Sequence, residues 1–147
     1  MCSGTQRHII NDSTEIILKK GELLLLNRHA SHQTDRTGID DIAINLIVLP
    51  QFFDIAIDMI GSDNKISEFI FSGLAGSGHE IAYMHFDVAD VLPVQNLIEN
   101  LIWSVVNKQP NRRNINQVTM GLLFLQLLGL SDRLVAGEPD TAANAIV

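Results

Sequence analysis

Hydrophobic and polar positions first change rhythm along this chain at Pro50. Before Pro50, short apolar stretches alternate with turn residues. Residues 5–10 alternate loosely, Asn11-Asp12-Ser13 reads as a turn, residues 14–18 as a strand, and Lys19-Lys20-Gly21 as a second turn. Residues 22–27 form a strand with few polar breaks, a pattern that predicts burial on both faces. Residues 29–38 read as a loop with room for a short strand around Gln33. Residues 42–49, rich in Ile and Val, predict a strand that Pro50 stops. Short strands parted by turns predict part of a β-barrel or sandwich.

After Pro50 the period becomes helical. Phe52, Phe53, Ile55, Ala56, Met59 and Ile60 recur at helical spacing, with Pro50 in the first turn and Gly61 as the stop. A second short helix is predicted over residues 65–74, broken by Gly73, Gly76 and Gly78. Residues 79–88 return to period two, with Tyr83, His85 and Asp87 on one face and Ala82, Met84, Phe86 and Val88 on the other. Asp90 is the expected cap of a helix starting near Leu92-Pro93 and striped by Val94, Leu97, Ile98, Leu101, Ile102 and Val105. A last helix is predicted over residues 114–135, apolar around much of its circumference. One face suits an antiparallel hairpin with the preceding helix, and the rest needs the barrel or a second chain. Gly121 and Gly129 suit a close helix crossing.

This pattern predicts an α+β fold: a β region with two inserted short helices (1–89), a helical hairpin of the same domain (90–136), and a small polar linker (137–147). The chain has 147 residues, 46% hydrophobic and 18% charged, enough for one domain with a real core. Its formal net charge of -7 disfavours binding to a phosphate backbone by this segment alone. The single cysteine, Cys2, rules out an internal disulfide and a cysteine zinc cluster, and fits a cytoplasmic setting. No signal peptide is evident in the polar first residues. The apolar run at residues 120–130 is broken by Gln126 and is far shorter than the roughly 20 residues a membrane span needs, so a soluble chain is expected.

Candidate chemistry centres on residues 21–32, where glycine, an apolar strand and a polar loop end in His29 and His32. Such a segment builds one edge of a small barrel, with the mouth at the histidine end. Tyr83 and His85 share one strand face and could point into the same cavity. None of the five histidines are paired at the helical spacing of a metalloprotease, and a metal would need three ligands converging on one point. Gly73-Leu74-Ala75-Gly76-Ser77-Gly78 lacks the lysine of a phosphate loop and the spacing of a nucleophile elbow, and reads as a connector. The carboxylate pairs Asp40-Asp41 and Asp87/Asp90 read as turns and a helix cap.

Gly21, five residues, Asn27, one residue, His29, two residues and His32 together resemble the second cupin motif. Asn27 stands where cupins carry proline, and His29 where they carry glycine. The following order is a strand ending in Leu49-Pro50-Gln51-Phe52-Phe53, two short helices, a strand with Tyr83-Met84-His85-Phe86, and a helical hairpin. This order is similar to the effector-sensing domain of AraC-type transcriptional regulators. The resemblance implies a partial cupin-like, jelly-roll barrel followed by short helices and a C-terminal antiparallel hairpin. It implies a non-enzymatic sensor with a small effector, a sugar first among the classes, contacting Asn27, His29, His32, Tyr83 and His85. It also implies a homodimer built from sheet edges or the last helix, with Val118, Leu122, Leu125 and Gly129 on its seam.

Two motifs of the relatives have no counterpart. The first cupin motif, with its two histidines and a glutamate, would lie before Gly4. The helix-turn-helix units that bind DNA would follow the linker. The expectation is therefore a piece of a longer regulator, without metal or cofactor, touching DNA only through a domain beyond this chain. The alternatives are a small metal-dependent cupin enzyme, an isomerase or dioxygenase, and a purely structural dimerisation module.

Overall fold

The computed structural model describes residues 1–35, 38–48, 50–75 and 81–137. They form an α+β fold of two antiparallel three-stranded sheets and four helices. Six strands, β1 (Thr5–Ile10), β2 (Thr14–Lys19), β3 (Leu23–Leu26), β4 (His32–Thr34), β5 (Tyr83–Phe86) and β6 (Leu134–Gly137), frame α1 (Asp54–Ile60), α2 (Lys65–Ala75), α3 (Leu92–Val106) and α4 (Arg112–Leu128). The first sheet has the order β2-β1-β4 and the second β3-β5-β6.

The β1–β2 hairpin closes on Asn11 and Asp12, both with positive φ, which these short polar side chains tolerate better than most. Its register pairs His8 with Ile16, and β4 joins the other side of β1, pairing Ile10 with His32. In the second sheet, β5 pairs Leu24 with His85 and Leu25 with Met84 on one side, and Ala136 with Met84 on the other. Strand alternation then divides its side chains between two cores. Met84 and Phe86, with Leu23, Leu25, Leu134 and Ala136, pack against the helices, joined by Phe69, Ile70, Leu101, Leu123, Phe124 and Leu127. Tyr83, with Leu24 and Leu26, packs against Ile10 and Ile16 of the first sheet. The second sheet is thus the middle layer between the first sheet and the helices.

The helical expectations hold in kind. Pro50–Phe53 is a 3-10 turn leading into α1, Gly61 caps α1 with φ +78°, and α3 and α4 pack as an antiparallel hairpin. Gly121 lets α4 approach α1: a Cβ there would sit 2.2 Å from Met59 Sδ. Gly129, by contrast, would accept a Cβ at an ordinary contact distance, 3.6 Å from the Gln126 carbonyl oxygen, and serves as the α4 C-cap.

Five features differ from expectation. Among the described residues the sheets do not close into a barrel. Residues 42–48 form no strand: Ile42 makes an isolated bridge with Ser3, and the rest finds no partner strand. β3 is half-buried rather than enclosed, because it is the edge of its sheet. The last helix ends at Leu128, and Leu134–Gly137 pairs with β5; a short apolar run is equally compatible with a helix or a strand, and the free edge of β5 captures it. Asp90 does not cap α3, whose N-cap is Val91 without a side-chain bond; it pairs with Arg133 instead. Residues 76–80, including His79, and the expected linker beyond Gly137 lie outside the described residues.

Gly21 and Gly61 share nearly the same φ, +82° and +78°, but a Cβ on Gly21 would meet the Ala89 backbone at 2.7 Å whereas Gly61 has nothing within 4 Å. Gly61, with ψ 177°, occupies a backbone region essentially reserved for glycine, so Gly61→Ala is expected to cost about 1–3 kcal/mol from backbone strain alone. Gly21→Ala adds an overlap that backbone must absorb, for a total of about 2–4 kcal/mol. Urea denaturation of the two variants measures the difference.

Candidate functional site

The strand β3 and the segments at its two ends border a cavity of about 840 Å³. It runs along the open edge of β3 and is walled by Ile44, Leu46 and Val48 of the irregular segment, Phe53, Phe69 and Ile70 of the first helices, Ile98, Leu101 and Ile102 of α3, and Met120, Leu123 and Phe124 of α4. Its volume lies within the range of small-molecule sites, about 300–1,000 Å³. Its polar lining residues are Met1, Lys20 and Glu22 before β3, Asn27, Arg28 and His32 after it, Asn45 of the irregular segment, and Gln95 and Glu99 of α3, among others. Gln95 Nε2 donates to the carbonyls of Gly21 and Val88 at 2.8 and 2.9 Å, tying α3 to the turn before β3.

The five expected ligand-binding residues divide. Asn27 and His32 line the cavity. The Asn27 side chain is already engaged: Oδ1 accepts the His29 N–H at 2.9 Å and Nδ2 donates to the Ile81 carbonyl at 3.3 Å. It shapes the loop rather than reaching outward. His29 is exposed and accepts from Arg28 Nε at 3.3 Å, away from the cavity wall. Tyr83 is buried in the inter-sheet core, where its ring covers Gly137; a Cβ on Gly137 would come within 2.2 Å of that ring. His85 is also on the inter-sheet face and pairs through Nε2 with Glu22 Oε1 at 2.9 Å, reaching the cavity only through that glutamate. Glu22 Oε1 also accepts the Lys19 N–H at 2.9 Å.

A residue the sequence reading passed over organises the histidine end. His8 points inward from β1, 4% exposed, and its Nδ1 lies 2.7 Å from His32 Nε2, with the rings stacked at a centroid distance of 5.0 Å. One of the two nitrogens carries the shared proton. Among the described residues, His8 Nε2 is buried without a partner, as is Gln6 Oε1, also on β1. Burial above all, then the charges of His32, His85 and the chain's amino terminus, push the His8 imidazole down to about 4. The signal available in sequence was the alternation Gln6, His8, Ile10, which places all three on one strand face. Among the described residues no three His, Cys, Asp or Glu side chains are grouped to hold a metal ion.

On the far side of the hairpin, Val118, Leu122 and Leu125 are 45%, 43% and 41% exposed, and Gly129 is exposed as well. Ile115, 40% exposed, extends the row. The spacing alternates three and four residues, which is that of a coiled-coil seam. The opposite face of the same helix carries Met120, Leu123 and Phe124 into the cavity wall. No helix among the described residues is long and apolar enough to cross a membrane. No family model matches the chain, and no curated protein and no solved structure matches it.

The His8 value makes stability depend on pH with a defined sign. The folded state binds the proton less tightly than the unfolded chain, whose ordinary value is 6.5. His8 therefore costs nothing above about pH 6.5, and its cost grows as pH falls, reaching up to ~3 kcal/mol near pH 4. Thermal unfolding at pH 7.0, 5.5 and 4.5 should show this loss, and His8→Phe should flatten it even if that variant is less stable at pH 7.0.

Proposed function

We propose that this chain is the ligand-sensing and dimerisation domain of an AraC-type transcriptional regulator, acting in the cytoplasm without catalysis. In this reading the two facing sheets are part of a cupin-like jelly roll, and the effector is a small molecule held in the cavity beside β3. DNA is contacted only by helix-turn-helix units outside this chain. The ordered resemblance described above motivates the family.

The observation that carries the reading is the double duty of α4. One face, Met120, Leu123 and Phe124, walls the cavity, and the other, Val118, Leu122 and Leu125, is an apolar stripe left uncovered. A ligand that favours one placement of α4 necessarily biases how that stripe meets a partner. Charge along the helix fits a two-fold antiparallel seam. Arg112 and Arg113 start α4 with no acidic residue in the first turn, and no basic residue occupies the last turn. The N-terminal end is thus mismatched to its own helix dipole and the C-terminal end lacks a compensating cation, and an antiparallel copy sets the arginines against the partner's carbonyl-rich end. The chain then forms a homodimer whose geometry the effector adjusts.

Leu122→Glu with Leu125→Glu places two like charges on the stripe in each copy. Multi-angle light scattering should show the wild-type dimer becoming a monomer, with the circular dichroism spectrum unchanged, because both positions are outside the core. A wild-type monomer at the highest soluble concentration would overturn the dimer. Sensing is tested separately, by a thermal-shift screen of a broad metabolite library: an effector present at about a hundred times its Kd stabilises the fold by about 2.7 kcal/mol.

A further inference from the structure

The open edge of β3 has a second backbone margin across from it, and the ligand class the two select rests on the sensing role proposed above. Met1–Ser3 marks the line between them. The Gly21 N–H donates to the Met1 carbonyl at 2.7 Å, and the Met1 amino group donates to the Glu22 carbonyl at 2.9 Å, with Gly21 at φ +82°. This is the bonding of a glycine β-bulge in an antiparallel pair. On the other side, the Cys2 and Ser3 N–H groups both donate to the Ile42 carbonyl, at 2.8 and 3.1 Å, and the Ile42 N–H donates to the Ser3 carbonyl at 2.9 Å. Met1–Ser3 is therefore a short central strand between the start of β3 and Ile42. At that end the two margins stand two strand spacings apart, about 9.5 Å.

Beyond Met1 the space between the margins is cavity, lined by Met1 and Cys2 at its start, by Leu23–Leu26 on one side and by Ile44, Asn45, Leu46 and Val48 on the other. The Asn27 N–H donates to the Ala82 carbonyl at 2.9 Å, so in the register from Leu23↔Phe86 to Leu26↔Tyr83 the odd residues bond β5. Leu24 and Leu26 turn their N–H and C=O groups the other way, as Glu22 does toward Met1. Among the described residues no backbone hydrogen bond reaches Leu24 or Leu26 on that side, nor the backbone of residues 43–47. Ile44 and Leu46 stay 43% and 45% exposed in a stretch of strand-forming composition.

An apolar small molecule lodged here would cover these backbone groups without bonding them, and each buried unpaired donor or acceptor is costly. A sugar would set its own hydroxyls against Phe53, Ile98, Leu123 and Phe124. An extended peptide meets both demands. We infer that the cavity binds a short oligopeptide as an added strand between β3 and residues 43–47, antiparallel to β3 and in line with Met1–Ser3. Its backbone pairs with Leu24 and Leu26 on one margin and with the 43–47 segment on the other. Its side chains beside Leu23 and Leu25 point as those two do, toward the core shared with α3 and α4. The site thus selects apolar residues two apart, and its occupant reaches the helical pair that carries the outer stripe.

The test is fluorescence anisotropy of a labelled, end-capped Lys-Leu-Thr-Leu-Thr-Lys peptide titrated with the whole chain, beside amide hydrogen exchange read by NMR. The expected result is saturable binding of one peptide per chain. The Leu24 and Leu26 N–H groups exchange at least about tenfold more slowly in the complex, and those of Leu23 and Leu25 change little. The permuted peptide Lys-Leu-Leu-Thr-Thr-Lys, which puts one leucine on the wrong face, binds at least about tenfold more weakly. N-methylation of the first threonine, whose N–H faces Leu24, weakens binding by a similar factor. Leu24→Pro removes a donor that β5 does not use and has the same effect. Leu46→Pro, in the exposed segment without backbone bonds, does so without touching the sheet, and decides the matter if Leu24→Pro fails to fold. Equal binding of the two peptides, or no slowing at Leu24 and Leu26, overturns the inference. So does slow exchange of those amides in the free chain, the sign that residues 43–47 or a second copy already pair with β3. Saturable binding of a sugar or another small molecule in the library screen, with no peptide binding, overturns it and leaves the sensing role standing; a silent screen as well removes both.

Discussion

Strand β5 is the constraint on which the remaining structure depends. Its four residues pair with β3 on one side and β6 on the other, and their alternation feeds two cores at once. Met84 and Phe86 are almost wholly buried among the helices, while Tyr83 is buried against the first sheet. A strand that is apolar on one face and amphipathic on the other can occupy only a middle layer. Placing it there positions β3 at an edge, and the edge is what leaves room for the cavity. A one-residue slip of β5 would exchange the two faces and put His85 among the helices.

Polar groups inside the inter-sheet layer oppose the apolar contacts made around them. Burying His8 and Gln6 removes them from water, and each leaves an atom without a partner among the described residues. Glu22 and His85 offset part of their own desolvation by pairing, helped by the Lys19 backbone donor. Here the His8–His32 contact holds β4 and the rim loop against β1, close to the cavity mouth. An acid-sensitive contact therefore sits at the histidine end of the cavity lining.

The helical hairpin links the cavity to the outer surface. α4 divides its positions between two faces: Leu123, Phe124 and Leu127 are core, and Val118, Leu122 and Leu125 are a half-exposed row. Gly121 draws it against α1 at Met59, so its position is set by contacts on three sides. Anything that filled the cavity between α4 and β3 would have to be accommodated by one of those contacts. Packed interiors respond to such demands by small rigid shifts rather than by local give.

Element type was legible in the sequence wherever periodicity ran long. The period-two stretches became β1, β2 and β5, and the helical stripes became α1 to α4, because side-chain spacing alone decides which surface an isolated element can bury. The turn glycine at Gly21 and the stop at Gly61 were also readable, since each follows from local backbone geometry. Partnership was not. Whether residues 42–48 pair, whether 134–137 continue a helix or join a sheet, and whether Asp90 caps α3 or binds Arg133 depend on which edges and charges arrive nearby. The same holds for the candidate site. The rim residues Asn27 and His32 could be named from the loop, but Tyr83 and His85 turned to the inter-sheet layer, and His8 and the walls of α3 and α4 came from distant segments. Local sequence determines the conformations a segment favours; only the folded chain determines what stands opposite it, and a cavity is defined by what stands opposite.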